Sequence, residues 1–255
     1  MKRIGIFYIC TGRYNIFWKG FFESSEKFFL AGSGYEKHYF VFTDASAIPY
    51  KDNRRVHKIY QEQLEWPHIT LFRFKIFQKA LPELSNVDYI YFFNANMVFV
   101  NHVGTELLPE VWQEYAFLLH PYFIDKPVEK YPYERNPRSL AYIPKEIGKY
   151  YFQGALNGGI AKSYLNMVDE LCRRVDEDMT NDVMAVWHDE SHLNKYAVEH
   201  EAEIKPLSPA YCYPEGWNLP FDKKIISLDK GKYGGHAFLR NQNAKRWYHI
   251  FSRKD

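Results

Sequence analysis

The sequence predicts a mixed α/β protein whose central sheet is mostly parallel and is covered by helices on both faces. Over the first 100 residues, segments typical of buried strands alternate with segments typical of amphipathic helices, in a βαβαβ order. The apolar run at residues 89–100 has the aromatic composition of a buried strand. The length of 255 residues fits one such domain with elaborations. Sheets of this kind bind ligands at the carboxyl ends of their strands.

The first helix is predicted from residue 16 to about residue 31. Asn15 is a favourable N-cap for it, and Gly32 is a favourable stop. The predicted strands of this half of the chain are at residues 4–10, 39–43, 55–60 and 89–93.

A second helix is predicted to open at Trp66-Pro67, because the first helical turn tolerates the missing N–H of proline. Arg73 lies just beside the apolar face of this helix. That face consists of Ile69, Phe72, Ile76 and Ala80.

The second half of the chain is less regular. A strand is predicted at residues 116–120, and residues 121–149 form a Tyr/Pro-rich loop that is long enough to indicate a functional role. The glycines of residues 150–159 would let the backbone turn sharply or approach a ligand closely. Ser163 is predicted to cap a long helix whose apolar stripe runs to Met179.

Two carboxamides, Asn94 and Asn96, interrupt the apolar run at the carboxyl end of its strand. Asparagine is common in turns and tolerates the left-handed region, so a structural turn is one interpretation. Because the pair lies where parallel sheets bind ligands, a binding role is the other.

Composition excludes several classes of protein. The formal net charge of +2 and the pI near 8.2 give no electrostatic footprint for nucleic acid. Three cysteines, far apart and in no metal-binding spacing, favour a reducing, cytoplasmic location. No run approaches the roughly 20 apolar residues of a transmembrane helix. Aromatic residues make up 18% of the chain, which suits sugar faces as well as cores.

The densest group of chemically active side chains is at residues 185–196. His188 and His192 have the spacing of a zinc peptidase, but that motif needs glutamate directly after the first histidine, and Asp189 holds that position. His192 and Asn194 are equally well explained as polar residues that stabilise a turn. A stacking ring, a histidine and two acids in sequence instead form a typical sugar site. These four residues are Trp187, His188, Asp189 and Glu190.

Residues 185–196 resemble the signature of glycosyltransferase family 6, which includes the histo-blood-group A and B transferases and the α1,3-galactosyltransferases. Further ordered matches extend along nearly the whole chain. They are residues 28–49, Asn101-His-Val-Gly104, His120-Pro121, Tyr133-Glu-Arg-Asn-Pro137, Ala141-Tyr-Ile-Pro144, Tyr150-Tyr151, Gly158-Gly159 and Leu207-Ser-Pro209. Vertebrate members have Asp-Val-Asp where this chain has Asn94-Ala-Asn96, so the chain resembles the bacterial branch of the family. The resemblance implies the Rossmann-like GT-A fold.

The resemblance also implies a role for each matching residue. Glu190 would be the catalytic carboxylate, as nucleophile or as electrostatic stabiliser. The implied donor-binding residues are Ile9, Cys10, Thr11, Tyr14, Arg73, Asn94, Ala95, Asn96, Gln153, Gly154, Ala155, Asp189, Lys232 and Arg240. The implied acceptor contacts are His120, Trp187 and His188.

The function that follows is a retaining transfer of GalNAc, or else Gal, from UDP to the 3-OH of a fucosylated galactose. No metal or other cofactor is expected, because neutral amides lack the charge that holds a divalent ion beside a diphosphate. A non-catalytic carbohydrate-binding protein and a nucleotide-sugar hydrolase are the alternatives. A transferase releases UDP when donor and acceptor are mixed, whereas a binding protein does not. Acceptor accelerates donor consumption by a transferase, whereas it does not accelerate consumption by a hydrolase.

The whole chain is predicted to be one catalytic domain with a C-terminal lid. Residues 1–100 would form the nucleotide half, residues 101–229 the donor-sugar and acceptor half, and residues 230–255 the lid. The lid carries seven Lys/Arg residues, which could neutralise the leaving diphosphate in place of a metal. Gly231, Gly234 and Gly235 could act as its hinges. A frayed basic tail is the alternative explanation.

Overall fold

The computed structural model describes residues 1–32, 34–84 and 86–241, and it confirms the mixed α/β class. The strands are β1 (Lys2–Ile9), β2 (Tyr35–Thr43), β3 (Val56–Tyr60), β4 (Tyr89–Phe93), β5 (Met97–Phe99), β6 (Tyr115–Leu119), β7 (Phe152–Ile160), β8 (Ile204–Leu207), β9 (Tyr213–Pro214) and β10 (Ile225–Ser227). The α-helices are α1 (Trp18–Phe28), α2 (His68–Leu71), α3 (Arg73–Gln78), α4 (Ala161–Thr180), α5 (Asp189–Glu199) and α6 (Gly235–Leu239).

Within the described residues, seven strands form the main sheet in the order β3-β2-β1-β4-β7-β6-β8. Only β7 runs antiparallel to its neighbours in this sheet, which is therefore mostly parallel, as predicted. Strands β1 and β4 are adjacent and parallel, with Phe7 opposite Phe92. Their carboxyl ends therefore open at the same edge, and Thr11 and Asn94 follow at that edge. A second sheet has the order β5-β10-β9.

The sheet buries aromatic side chains on both of its faces, because successive residues of a strand point to opposite sides. Tyr8 and Phe93 belong to the core that contains α1. Their neighbours Phe7 and Phe92 belong to the core beneath α3 and α4. Full burial of one such ring stabilises the fold by about 1.5–3 kcal/mol.

The glycine-rich segment forms strand β7 rather than a turn. A Cβ atom on Gly158 would lie 2.3 Å from the Tyr91 ring, and one on Gly159 would lie 2.3 Å from the Glu114 carbonyl oxygen. These glycines therefore let β4 and β6 pack closely against β7. The sequence predicted that the backbone of this segment could approach a ligand closely. At these two positions, neighbouring strands approach it instead.

Three predicted helices differ from the structure, two at their starts and one by a break. Asn15 lies inside a 3₁₀ turn, Gly12–Phe17, so it does not cap α1. Ser163 lies within the first turn of α4, and its hydroxyl donates instead to Glu114 at 2.5 Å. The helix after Trp66-Pro67 is broken at Phe72 into α2 and α3. Asn15 is taken up by the tighter 3₁₀ turn, and Ser163 bonds a residue that is distant in sequence. Helix propensity, which reflects local sequence alone, includes neither effect.

No helix of residues 1–32, 34–84 and 86–241 combines the length and the apolar character needed to cross a membrane. The three cysteines are buried and unpaired. Burial raises the thiol pKa of Cys10 and Cys212 to about 12, so both are held as unreactive thiols.

Candidate active site

A cavity of about 120 Å³ lies at the carboxyl ends of β1 and β4. It collects most of the side chains predicted to bind the donor nucleotide, and Cys10 is an exception because it faces the core. The lining residues are Ile9, Thr11, Tyr14, Gln63, Leu64, Ile69, Thr70, Arg73, Phe92, Asn94, Ala95, Asn96, Lys230 and Arg240. We refer to it as the central cavity.

The predicted turn after β4 is present, and it forms one wall of the central cavity. The backbone N–H of Met97 donates to the carbonyl of Asn94 at 3.2 Å, and the N–H of Asn94 donates to Ala155 at 2.9 Å. The hydroxyl of Tyr8 donates to the carbonyl of Ala95 at 2.7 Å. The turn is thus fixed from β1 and β7, and Asn94 and Asn96 also line the cavity.

The side chain of Asn96 is engaged in hydrogen bonding. Its Nδ2 donates to the Ser227 hydroxyl at 3.0 Å and to the Leu228 carbonyl at 2.8 Å. The residue is 4% exposed. Both donors of this amide therefore point at the end of β10.

Two acids stand side by side at the start of α5. The Asp189 carboxylate forms a buried ion pair with the Arg73 guanidinium at 2.7 Å. The Glu190 carboxylate accepts from the Tyr151 hydroxyl at 2.7 Å and from the Gly154 backbone N–H at 2.8 Å. Negative charge in a first helical turn is stabilised by the helix dipole, so this position suits both carboxylates.

Arg73 joins these acids to the central cavity. Its guanidinium lies 4.5 Å from the centre of the Phe92 ring, donates to the carbonyl of Gly154, and lines the cavity wall. A Cβ atom on Gly154 would lie 3.1 Å from Arg73, 3.3 Å from Asp189 and 3.5 Å from Glu190. Glycine at this position therefore lets all three charged groups converge.

Burial raises the pKa of both acids. The pKa of Glu190 rises to about 7, although the hydrogen bonds from Gly154 and Tyr151 oppose the rise. The pKa of Asp189 rises to about 6, with the Arg73 charge as the main opposing effect. A carboxylate that is poised near neutrality at a ligand site is typical of a catalytic group.

Gln153 and Ala155 flank Gly154 on β7, as the resemblance requires. The Oε1 atom of Gln153 is buried without a hydrogen-bond partner among the described residues. Ala155 is 5% exposed. As neighbours of Gly154 in one strand, both residues direct their side chains to the face of the sheet opposite to the one on which the acids approach Gly154.

The predicted acceptor residues surround the acid pair. Trp187 is 48% exposed, so a ring face is free to contact a ligand. The His120 ring centre lies 5.8 Å from that of Tyr151, and burial lowers the pKa of His120 to about 4, so its imidazole is neutral. The His188 ring packs edge-on against Trp66 at 5.3 Å.

The backbone of His188 is strained, with φ of 53° and ψ of −122°. Non-glycine residues rarely adopt positive φ, and such strain costs about 1–3 kcal/mol. The strained residue comes directly before Asp189, so it sets the direction in which α5 starts.

The C-terminal segment, residues 229–241, packs against the central cavity. Lys230 lines the cavity, and burial together with the neighbouring Arg240 charge lowers the Lys230 pKa to about 8. The Arg240 guanidinium lies over the Trp66 ring, 5.3 Å from its centre. Gln63 donates to the Arg240 carbonyl. The seven predicted basic residues include Lys245, Arg246, Arg253 and Lys254, which lie outside the described residues.

The lysine that lines the central cavity is Lys230, two residues before the Lys232 that was predicted to contact the donor. Lys232 is absent from the cavity lining, because its ammonium pairs with Glu215 at 2.6 Å on the surface. Lys230 occupies the wall instead. The turn that starts at Asp229, whose carboxylate accepts from the Gly231 N–H at 2.9 Å, decides which lysine faces inward. Two lysines in a glycine-rich stretch carry no sequence signal for this choice.

Tyr151, Gln63 and Thr70 are site residues that the sequence prediction did not assign. Tyr151 was visible as part of the Tyr150-Tyr151 match, but its contact with Glu190 depends on the packing of α5 against the start of β7. Asn194 is structural, since its side chain bonds both the N–H and the carbonyl of Phe152 at 2.8 Å. His192 is fully buried, with Nε2 3.5 Å from Asp178.

Residues 2–241 match the family model described as glycosyltransferase family 6. The chain is 34% identical over 238 residues to the O-antigen biosynthesis glycosyltransferase WbnI of Escherichia coli, covering 93% of this chain and 99% of WbnI. It is 33% identical over 249 residues to the histo-blood group ABO system transferase 2 of Rattus norvegicus, covering 93% of this chain and 71% of that protein. Identity to the globoside alpha-1,3-N-acetylgalactosaminyltransferase 1 of Mus musculus is 32% over 236 residues, covering 90% and 66%.

These matches span the central cavity, the acid pair and the described C-terminal segment alike. With the mixed sheet and the site at its carboxyl edge, they define a glycosyltransferase. More particularly, the chain belongs to glycosyltransferase family 6.

Proposed function

We propose that this enzyme transfers GalNAc from UDP-GalNAc, with retention of configuration, to the 3-OH of the galactose in an α1,2-fucosylated acceptor, without a metal ion. The bond between C1 of the sugar and the diphosphate oxygen breaks, and its electron pair leaves with UDP. The acceptor oxygen forms the new bond to C1, and its proton is released.

The observation that carries this proposal is the double hydrogen bond that fixes Glu190. A carboxylate held by Tyr151 and Gly154 keeps one orientation, which suits it to stabilise positive charge at C1 as the leaving group departs. Asp189 and Arg73 lie beside it and are available for sugar hydroxyls and for the donor.

The residues at the turn after β4 do not fit a divalent metal. Asn94 and Asn96 are neutral amides, and the Asn96 Nδ2 group directs its donors at Ser227 and Leu228. Oxygen-ligand sites for Mg²⁺ or Mn²⁺ ordinarily use carboxylates. Positive charge at this cavity instead comes from Lys230, Arg240 and Arg73.

The size of the central cavity supports a moving lid. Pockets that bind small molecules and cofactors measure about 300–1,000 Å³. The central cavity measures about 120 Å³, which is too small for a whole UDP-sugar. Lys230 and Arg240 are among the groups that narrow it. We therefore expect the C-terminal segment to open for the donor and to close over the diphosphate.

The choice of donor and acceptor rests on the relatives and on β7. The rodent globoside enzyme is named for α1,3 transfer of N-acetylgalactosamine. The unpaired Oε1 of Gln153 is an acceptor that could receive the N–H of a 2-acetamido group. Transfer of Gal from UDP-Gal by the same residues is the second candidate, because the family that the sequence resembles also includes α1,3-galactosyltransferases.

The test is to incubate the enzyme with UDP-GalNAc or UDP-Gal, each with and without 2′-fucosyllactose, and to measure UDP and the tetrasaccharide product. Acceptor-dependent UDP release with an α-linked GalNAc product is expected. UDP release that acceptor does not accelerate would make the enzyme a hydrolase, and the absence of release would favour a binding protein.

A further inference from the structure

We infer that Asn96 is a positioning residue, whose amide holds the C-terminal segment so that Lys230 faces the diphosphate. This inference rests on the proposed role of Lys230 as a substitute for the metal. It gives the asparagine at position 96 a specific task, beyond its being a poor metal ligand.

The geometry is a three-bond clasp between the turn after β4 and the end of β10. The Asn96 Nδ2 donates to Ser227 and to the Leu228 carbonyl, and the Leu228 N–H donates to the Asn96 carbonyl at 2.8 Å. Asn96 and Leu228 thus exchange bonds in both directions. The clasp continues the pairing of β5 with β10, in which Ser227 lies opposite Met97.

Only an amide completes this clasp. Aspartate has nearly the same shape, but an ionised carboxylate has no donor, and its oxygen would face the Leu228 carbonyl oxygen at the present 2.8 Å. A metal-binding carboxylate and a clasp of the segment are therefore mutually exclusive uses of position 96. Asn94 differs, because its turn contacts given above are made by its backbone alone.

The clasp lies two residues before Lys230, so freedom at Leu228 passes directly to the lysine. Asp229 connects them, and its N–H donates to Glu215 at 2.8 Å. Asn96 and Lys230 also border both the central cavity and a neighbouring open cavity lined by Trp217 and His236. The clasp is part of the wall between these two spaces.

The first experiment measures amide hydrogen exchange of residues 228–241 in the full-length protein, without ligand or metal. Loss of a buried hydrogen bond predicts exchange roughly tenfold faster in Asn96→Asp and Asn96→Ala. The matched variants Asn94→Asp and Asn94→Ala are expected to leave exchange in this segment unchanged. Wild-type exchange in the Asn96 variants, or equal acceleration in the Asn94 variants, overturns the clasp.

The second experiment is a double-mutant cycle on UDP affinity. Asn96→Ala and Lys230→Met are each expected to weaken UDP binding by roughly tenfold. The first variant loses the hydrogen bonds that hold the lysine in place, and the second loses its charge. If Asn96 acts through Lys230, the double variant binds UDP no more weakly than Lys230→Met. Additive losses would overturn the inference, because a merely structural role would not depend on the lysine.

These outcomes are separable from the proposed function. If wild-type transfer requires Mn²⁺ but exchange in residues 228–241 still depends on Asn96, the clasp stands and the metal-free mechanism falls. If transfer is metal-independent and exchange does not depend on Asn96, the clasp alone falls.

Discussion

The hydroxyl of Tyr151 donates a 2.7 Å hydrogen bond to Oε1 of Glu190. Tyr151 also belongs to an aromatic cluster under the long loop, where its ring centre lies 5.1 Å from that of Phe123 and 5.6 Å from that of Tyr133. Glu190 is thus linked through Tyr151 to the loop of residues 121–149. The same aromatic contacts pack this long loop against the domain.

Tyr151→Phe is expected to lower kcat about tenfold to a hundredfold, since a hydrogen bond to a charged group contributes about 1.5–3 kcal/mol. The hydroxyl stabilises the ionised carboxylate, so its removal raises the pKa of Glu190 above its value of about 7. The acid limb of the kcat profile should therefore move to higher pH. Tyr133→Phe is the control, because its hydroxyl donates to the Tyr150 carbonyl and not to Glu190. Equal profiles in the two variants would contradict the assignment.

Glu190→Gln is expected to lower kcat by about 10²–10³, because the nearly isosteric amide cannot supply negative charge to C1. UDP affinity should be almost unchanged, since Glu190 is absent from the cavity lining. Steady-state kinetics and calorimetric titration with UDP measure the two quantities. A variant within about threefold of wild-type kcat would reduce Glu190 to a binding or structural role.

Much of this site was predictable, because strand-end positions and a local motif carry it. Asn94 was singled out by its position at a strand end, whereas the roles of Arg73 and Glu190 were implied by the family resemblance. In the structure these residues lie at the end of β4, on α3 and on α5. The remainder depends on tertiary partners: the turn at Asp229 brings Lys230 rather than Lys232 to the cavity, and the strands after residue 200 were not predicted. Strands β9 and β10 have only 2 and 3 residues, which is too short for a periodic signal.

Lys230→Met should lower kcat/KM for the UDP-sugar at least about tenfold, whereas Lys232→Met should have little effect. Lys232 is paired with Glu215 at the surface, so its charge does not reach the cavity. Because the pKa of Lys230 is about 8, wild-type kcat/KM should decline above that pH as the lysine loses its charge. The Lys230 variant should lack this decline.

Deletion of residues 230–255 should abolish most transfer while the protein stays folded.

Activity should survive chelation. The amides of Asn94 and Asn96 offer no carboxylate to a divalent ion, and three cationic side chains line the same cavity. The measurement is the transfer rate after dialysis against EDTA, compared with the rate after Mn²⁺ is added back. Loss of turnover with EDTA and recovery with Mn²⁺ would show that this interpretation of the two asparagines is wrong.

His188→Gly should raise thermal stability and weaken acceptor use. Glycine adopts the φ of 53° without strain, and relief of about 1 kcal/mol raises the Tm of a protein of this size by roughly 2–4 °C. His188→Ala is the control, since alanine keeps the strain and also lacks the ring. A Tm for the glycine variant below that of the alanine variant would show that the turn is not strained.

The narrow central cavity has a kinetic consequence. If the donor enters and UDP leaves only when the C-terminal segment opens, each turnover includes two large displacements that involve no bond making. The donor would then bind first and the nucleotide would leave last, in an obligatory order. The rate at which Lys230 and Arg240 withdraw would then set an upper limit to kcat, which no faster bond cleavage at C1 could exceed.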